Sequence, residues 1–252
     1  MNTPDYTDEK KVPANRLQKK TADELTRIET IFVWIDILGF SDKLENEYDY
    51  KKLNDILLKF HEHFVDEAGR YEVTSISDGM ICEMNPNRDD WGIKDVLDCL
   101  NTIAAKQASF ISQYNYLIRG GITVGTRLFY ENIKGFIGNG LSRANKTESK
   151  HICWPIIGFL WSEDLESKLE NLYHAKDIQK TLNLKYTKNE NDKDVYFLDY
   201  KKWLKGTGED IKKLISEELS NKRNPLRVKM KYEWTKQYLE ISDINEKAFV
   251  IK

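Results

Sequence analysis

Two aspartates stand where a carboxylate is costly unless something offsets it. Asp36 ends the apolar run Ile31–Ile35 in IFVWIDILGF, and Asp78 lies in SISDGM between two strand-like runs. An unpaired carboxylate at the end of a buried strand costs several kcal/mol. The ordinary compensation for Asp36 is to cap the following helix. Asp78 offers another. If the two strands are neighbours, both acids meet at one sheet edge, where they repel unless a divalent cation sits between them. Magnesium binds through one or two carboxylates and completes its shell with water, phosphate or carbonyl oxygens, such as that of Ile37. Gly39 lets the chain turn and present amides to a polyphosphate. The pair therefore suggests a nucleoside-triphosphate site holding two metals.

The elements that must position these acids follow from periodicity. Ile31–Ile35 is β-branched or aromatic and reads as a buried strand. Leu53, Ile56, Leu57, Phe60 and Phe64 recur at three- and four-residue steps, giving a helix that Gly69 stops. Tyr71–Ser77 and Met80–Met84 form a hairpin with Asp78 at its tip. Val96, Leu97, Leu100, Ile103, Ala104, Gln107 and Phe110 mark a second long helix. Leu117–Gly125 is a strand whose paired Gly120 and Gly121 imply close approach of backbone or ligand, and Thr126–Tyr130 continues into a hairpin strand. Asn132–Gly140 reads as a loop, Leu141–Ser149 as a helix and Ile152–Leu160 as a strand. Ser162 caps a further helix. Tyr173–Asp192 is polar without clear texture, Val195–Leu198 is a short strand, and Asp210–Asn221 and Arg227–Ile241 are closing helices. Thr21–Glu24 carries a capping signal for a short helix before the first strand. This order argues an α+β fold with a mostly antiparallel sheet.

Composition narrows the function. The chain has 252 residues, 40% of them hydrophobic, enough for a large core. A net charge of −2 gives no electrostatic case for nucleic acid or an anionic membrane. The densest basic cluster, Lys222–Lys231, reads as a solvated helix face. No apolar run approaches the roughly 18–20 residues that span a bilayer, and the polar first twenty residues are no signal peptide. Cys82, Cys99 and Cys153 lack metal-ligand spacing and fit reduced thiols in a cytoplasmic protein. His61 and His63, two apart, cannot share a helix face as zinc ligands.

VWIDILGF, SISDGM, LIRGGITVG and FIGNGLSRANKTES resemble, in order and spacing, the signature segments of class III nucleotidyl cyclases over about Phe32–Glu148. The resemblance implies a ferredoxin-like βαββαβ core with C-terminal strand and helices added. It divides the chain into an arm (1–24) and one catalytic domain (25–252), with the core at about 29–160 and an extension at 161–252. It also implies homodimers with active sites across the interface, two Mg2+ or Mn2+ ions, and attack of the ribose 3′-oxygen on the α-phosphorus with loss of pyrophosphate. Asp36 and Asp78 match the metal-binding aspartates, Ile37 the carbonyl ligand, and Phe40 with Ser41 the phosphate-facing turn. Arg119 matches the arginine opening the third strand. The ribose-orienting Asn aligns with Ser142, and the transition-state Arg with Lys146. Asn145 and Arg143 stand near enough to replace them, and a lysine lacks bidentate geometry.

The two purine readers are replaced by Thr74 and Gly135. Metal ligands without a purine code resemble the bacterial pyrimidine cyclases of Pycsar antiphage defence, as do ICWPIIGFLWSEDLESKL, DVYFLDYKKWL and VKMKYEWTKQYLE in the tail. In such a pocket Tyr71 and Arg119 would together wall the base, and Arg119, a pure donor, favours UTP over CTP. The bland readings are a core aromatic for Tyr71, a strand-end ion pair for Arg119 and a solvated helix face for Ser142, Asn145 and Lys146. The resemblance thus implies a uridylate cyclase whose cUMP (or cCMP) acts on a separate effector. The alternatives are a catalytically degenerate nucleotide-binding module and a purine cyclase with a rearranged base site.

Overall fold

The structure is a computed structural model and describes residues 26–40, 45, 49–84, 92–130, 133–173, 185–188, 191, 193–204, 208–222, 224–240 and 248–249. Its organising element is β1 (Thr26–Ile37), in which Thr30–Ile35 are buried on both faces. Ile31, Val33, Ile35 and Ile37 point to one side. There they join the apolar stripes of α1 (Tyr50–Phe64) and α2 (Ile93–Tyr114). Phe32 and Trp34 point to the other side, with Ala144 of α3 (Gly140–His151). Coverage on both sides explains why the run is unbroken rather than alternating.

β2 (Tyr71–Ile76) and β3 (Gly79–Met84) form the expected hairpin, with Ser77 and Asp78 as its two-residue tip and Ser77 at φ +57°. β1 pairs antiparallel with β3 on one side and with β4 (Ile118–Tyr130) on the other. The central order β2-β3-β1-β4 is the ferredoxin-like arrangement. It continues through β6 (Ile157–Leu160), β8 (Asp194–Phe197), β7 (Lys185–Lys188) and β9 (Ala248–Phe249). α4 (Glu163–Tyr173) follows β6, and Ser162 Oγ accepts a hydrogen bond from Leu165 N at 3.2 Å, as its capping role requires. α5 (Gly208–Ser220) and α6 (Leu226–Glu240) close the chain.

Three expectations are corrected. Part of the supposed loop at Asn132–Gly140 is β5 (Ile133–Ile137), which returns along β4 through Tyr130↔Ile133 and Leu128↔Ile137; cross-strand pairing overrides its glycine content. The strand expected at Ile152–Leu160 begins only at Ile157, because α3 runs to His151 and Pro155 has no amide to give a ladder. Within polar Tyr173–Asp192, Lys185–Lys188 is a strand held by β8. The capping signal at Thr21–Glu24 lies outside the described residues.

α3 lies close on the second face of the sheet because small residues meet there. A Cβ on Gly121 would collide with the Ala144 carbonyl and the Glu148 amide of the helix backbone. The pair Gly120–Gly121 thus admits backbone, as the sequence suggested. Among the described residues no helix is long and apolar enough to cross a membrane, and no disulfide joins Cys82, Cys99 or Cys153.

Candidate active site

Sheet register assembles the site. Asp36 lies opposite Gly79 on β3 and Arg119 on β4. Asp78 precedes Gly79, so both acids reach the same end of the sheet. An Arg119 amino nitrogen is 3.7 Å from the Asp36 carboxylate, while its Nε is ion-paired with Glu148 in the last turns of α3. Glu148 is 3% exposed. Two carboxylates therefore share one guanidinium, with the charges of Asp78 and Lys231 also felt there. Burial, with the charges of Glu148 and Asp78 added, overcomes Arg119 and pushes the Asp36 carboxyl up to about 7. Burial likewise raises Glu148 against the pull of Arg119.

Such an imbalance is what a cation would relieve. No group of three His, Cys, Asp or Glu side chains among the described residues is arranged around a metal position. The donor set is instead two carboxylates, Asp36 and Asp78, with the Ile37 carbonyl at the strand end. That set suits Mg2+ or Mn2+ sharing its shell with water and phosphate.

The remaining residues divide by sheet face. Gly39 adopts φ +73°, a left-handed turn that glycine makes without strain, and Phe40 then buries its ring in the core at 2% exposure. Phe40 can therefore offer a ligand only its backbone; Ser41 lies outside the described residues. Thr74 is half-buried opposite Ile81 and shares the face of Asp36 and Arg119. Tyr71 does not. It pairs with Met84, is 3% exposed and packs into the α1–α2 core on the opposite face. The base-walling pair of Tyr71 and Arg119 is thus not one this sheet can form, because alternation sends their side chains to opposite sides. Gly135 lies on β5.

On α3, Ser142, Asn145 and Lys146 are exposed together, whereas Gly140, Ala144 and Glu148 are buried. Arg143 turns toward α4, 3.9 Å from Asp164, which also binds Lys168 at 3.1 Å. Arg143 therefore does not share the outer face that carries Ser142 and Asn145.

Two contributors escaped the sequence reading. Glu148 orients Arg119; its signal was an acid continuing the Gly140–Ala144 stripe at four-residue spacing. Lys231 belongs to a cluster that reads as a solvated basic face, yet α6 packs it half-buried near Arg119 and Glu148. Burial and the charges of Arg119 and Arg227 lower its ammonium from the usual range, against Glu148.

No family model matches the chain, and no curated protein matches it. Among solved structures it is similar to the adenylyl cyclase CyaB from P. aeruginosa, with a TM-score of 0.50 and 16% identity over 70% of this chain and 96% of that one. A bacterial light-regulated adenylyl cyclase matches at TM-score 0.43 and 16% identity, covering 70% and 53% of the two chains. The guanylyl cyclase Cya2 matches at 0.41 and 12%, covering 69% and 92%. The CyaB likeness shows the class III cyclase fold, and the ferredoxin-like strand order agrees with it.

Proposed function

We propose that this chain is a nucleotidyl cyclase that converts a pyrimidine nucleoside triphosphate to its 3′,5′-cyclic monophosphate and pyrophosphate. It acts as a homodimer, with residues 25–252 as the catalytic unit and 1–24 as an arm. The observation that carries this reading is the convergence of Asp36 and Asp78 at one end of a cyclase-type sheet, with more carboxylate than Arg119 can balance.

Asp36, Asp78 and the Ile37 carbonyl would hold two divalent cations. When bound, these neutralise the triphosphate and acidify the ribose 3′-hydroxyl. The 3′-oxygen attacks the α-phosphorus, the bond to the bridging oxygen breaks, and pyrophosphate leaves. The hydroxyl proton passes to the Asp36 carboxylate or to solvent. The Gly39 turn and the Phe40 backbone face the phosphates. Arg119, tied in register to Asp36, suits phosphate oxygens at the metal end rather than the base, so its donors no longer rank UTP above CTP. Ser142 and Asn145 orient the ribose, and Lys146 carries positive charge to the transition state. Absence of a lysine at Thr74 and of an acid at Gly135 supports pyrimidine over purine. The product would act on a separate effector, and the resemblance to Pycsar cyclases makes antiphage signalling in the cytoplasm its setting.

Incubation of purified protein with Mn2+ and each of the four triphosphates tests the reading. The expected products are cUMP or cCMP with stoichiometric pyrophosphate. Wild-type protein as inactive as Asp36→Ala on all four substrates would sink it. The position of Arg143, turned to Asp164 and away from Ser142, favours a second reading, a nucleotide-binding module without turnover. That module would bind nucleotide in the presence of metal and release no product.

A further inference from the structure

A groove of about 940 Å3 lies on the outer side of α2, away from the sheet and from Asp36 and Arg119 on its other face. Trp203, in the single 3-10 turn Lys201–Trp203, and residues at and after the end of α1 line it together with α2. Its volume falls in the range of small-molecule sites, roughly 300–1,000 Å3. At one end the Asp98 carboxylate has no hydrogen bond or ion pair among the described residues. Asp95 beside it accepts from the Gly92 amide at 2.9 Å. Asn101, one turn beyond Asp98, accepts from Lys202 at 3.2 Å and leaves its amide nitrogen unengaged among the described residues. Trp203 keeps 38% of its surface exposed nearby, with Lys202 Nζ 5.3 Å from its ring.

The other end is cationic. Arg70 directs three of its five N–H groups to the two Asp66 oxygens and to Thr102 Oγ1. Lys106 directs two of its three to the His63 and Val65 carbonyls, at 2.7 and 3.0 Å. Both cations therefore keep donors for a ligand. Asp98 and Lys106 stand eight residues apart on α2, ~12 Å along the helix, and Thr102 and Ala105 floor the interval with small side chains. A ligand that meets both ends carries an anionic group, a flat ring for Trp203 and an N–H donor for Asp98. An ionised carboxylate only accepts, so it suits an amino group and repels a carbonyl. The Asn101 amide N–H suits a ring nitrogen beside that amino group. Cytosine and adenine present such a pair, whereas uracil has a carbonyl in place of the amino group.

We propose that this groove is a second nucleotide site, which takes a nucleoside monophosphate whose base carries an exocyclic amino group. The base stacks on Trp203, its amino group donates to Asp98, and the phosphate meets Arg70 and Lys106. The site shares no residue with the candidate active site, so it stands whether or not the chain is a cyclase. Calorimetric titration of the full chain in EDTA with CMP, AMP, UMP, cytidine and inorganic phosphate tests it. One CMP or AMP per chain is expected, with UMP, cytidine and inorganic phosphate each at least tenfold weaker. Trp203→Ala, a change at a partly exposed ring, should weaken CMP at least tenfold. Asp98→Asn gains a donor that uracil accepts, so it should bring CMP and UMP within threefold of each other, a swap that mere loss of structure would not produce. Asp36→Asn should bind CMP as the wild type does. The proposal is overturned if the wild type binds neither CMP nor AMP, or binds UMP or cytidine as tightly as CMP. Wild-type affinity in Trp203→Ala, an unchanged preference in Asp98→Asn, or loss of CMP binding in Asp36→Asn overturns it equally.

Discussion

Asp36 and Arg119 face each other across the β1–β4 ladder, 3.7 Å apart, and Arg119 is shared with buried Glu148. One guanidinium thus serves two carboxylates from opposite sides, while Asp78 adds a third negative charge that both acids feel. A fully matched pair would leave no vacancy for a cation. This under-compensated arrangement keeps Asp36 poorly solvated and poorly paired, a cost that folding meets elsewhere.

Asp36→Asn removes a desolvated carboxylate while keeping its shape, so the metal-free variant should be at least as stable as wild type. Wild-type Tm should rise when millimolar Mn2+ is added, because a ligand that binds only the folded state stabilises it. The variant should show no such rise. Thermal melts with and without Mn2+ check both halves, and a variant less stable than wild type without metal would refute the charge argument.

Glu148→Ala leaves Arg119 with Asp36 alone and empties a buried site. Removing one partner of a buried ion pair costs about 3–5 kcal/mol. Arg119 keeps one partner and is partly exposed, so a loss of about 2–3 kcal/mol is expected, read from the urea midpoint. Glu148→Gln, which retains volume and a hydrogen-bonding oxygen, should recover at least half of that loss while raising KM for the triphosphate through a misdirected Arg119.

The sequence announced some of these residues and concealed others for definite reasons. Asp36 was legible because an apolar run must end before a carboxylate, and Asp78 because turn residues separate two strand-like runs. The helices of the core announced themselves by three- and four-residue spacing. Tyr71 misled because alternation reveals that a strand has two faces but not which one meets the core; the Tyr71↔Met84 register decides that. Glu148 and Lys231 stayed hidden because the docking of α3 and α6 is long-range, and a charged residue on an isolated helix looks solvated. β5 was hidden by its glycine until β4 offered a pairing partner.

Gly121→Ala tests the seat of α3. The added methyl meets two backbone groups, the Ala144 carbonyl and the Glu148 amide, and neither can rotate away. Overpacking of this kind costs about 1–3 kcal/mol, and rigid backbone places this case at the upper end. Urea unfolding should show that loss, and turnover should fall further than stability explains because Ser142, Asn145 and Lys146 move with the helix.

Glu83 supplies a pH dependence away from the site. It is fully buried beneath Arg127, with Oε2 2.6 Å from the guanidinium. Burial pushes its carboxyl up from 4.5 to about 7, with Arg127 opposing. The folded state therefore holds this proton more tightly than the unfolded one. Stability from this group falls as pH rises from about 4.5 to about 7, by at most about 1.4 kcal/mol per unit, and levels off above. Glu83→Gln should reduce the slope of unfolding free energy against pH in that window. A slope identical to wild type would show that Glu83 is already ionised at pH 5.

The two cations of α3 should separate in kinetics. Both line the groove before α4, but Lys146 is exposed beside Asn145 and Ser142, whereas Arg143 lies 3.9 Å from Asp164. If Lys146 meets charge that develops only in the transition state, Lys146→Ala lowers kcat about 100-fold with little change in KM, because a ground-state contact would raise KM instead. Arg143→Ala should lower kcat less than about threefold and leave stability within about 0.5 kcal/mol, since its ion pair is long and exposed. Lys146→Arg should retain more activity than Lys146→Ala, because the charge survives and gains a second donor. The reverse ranking, with Arg143→Ala the more damaging, would mean that Arg143 leaves Asp164 when substrate binds and is itself the transition-state cation.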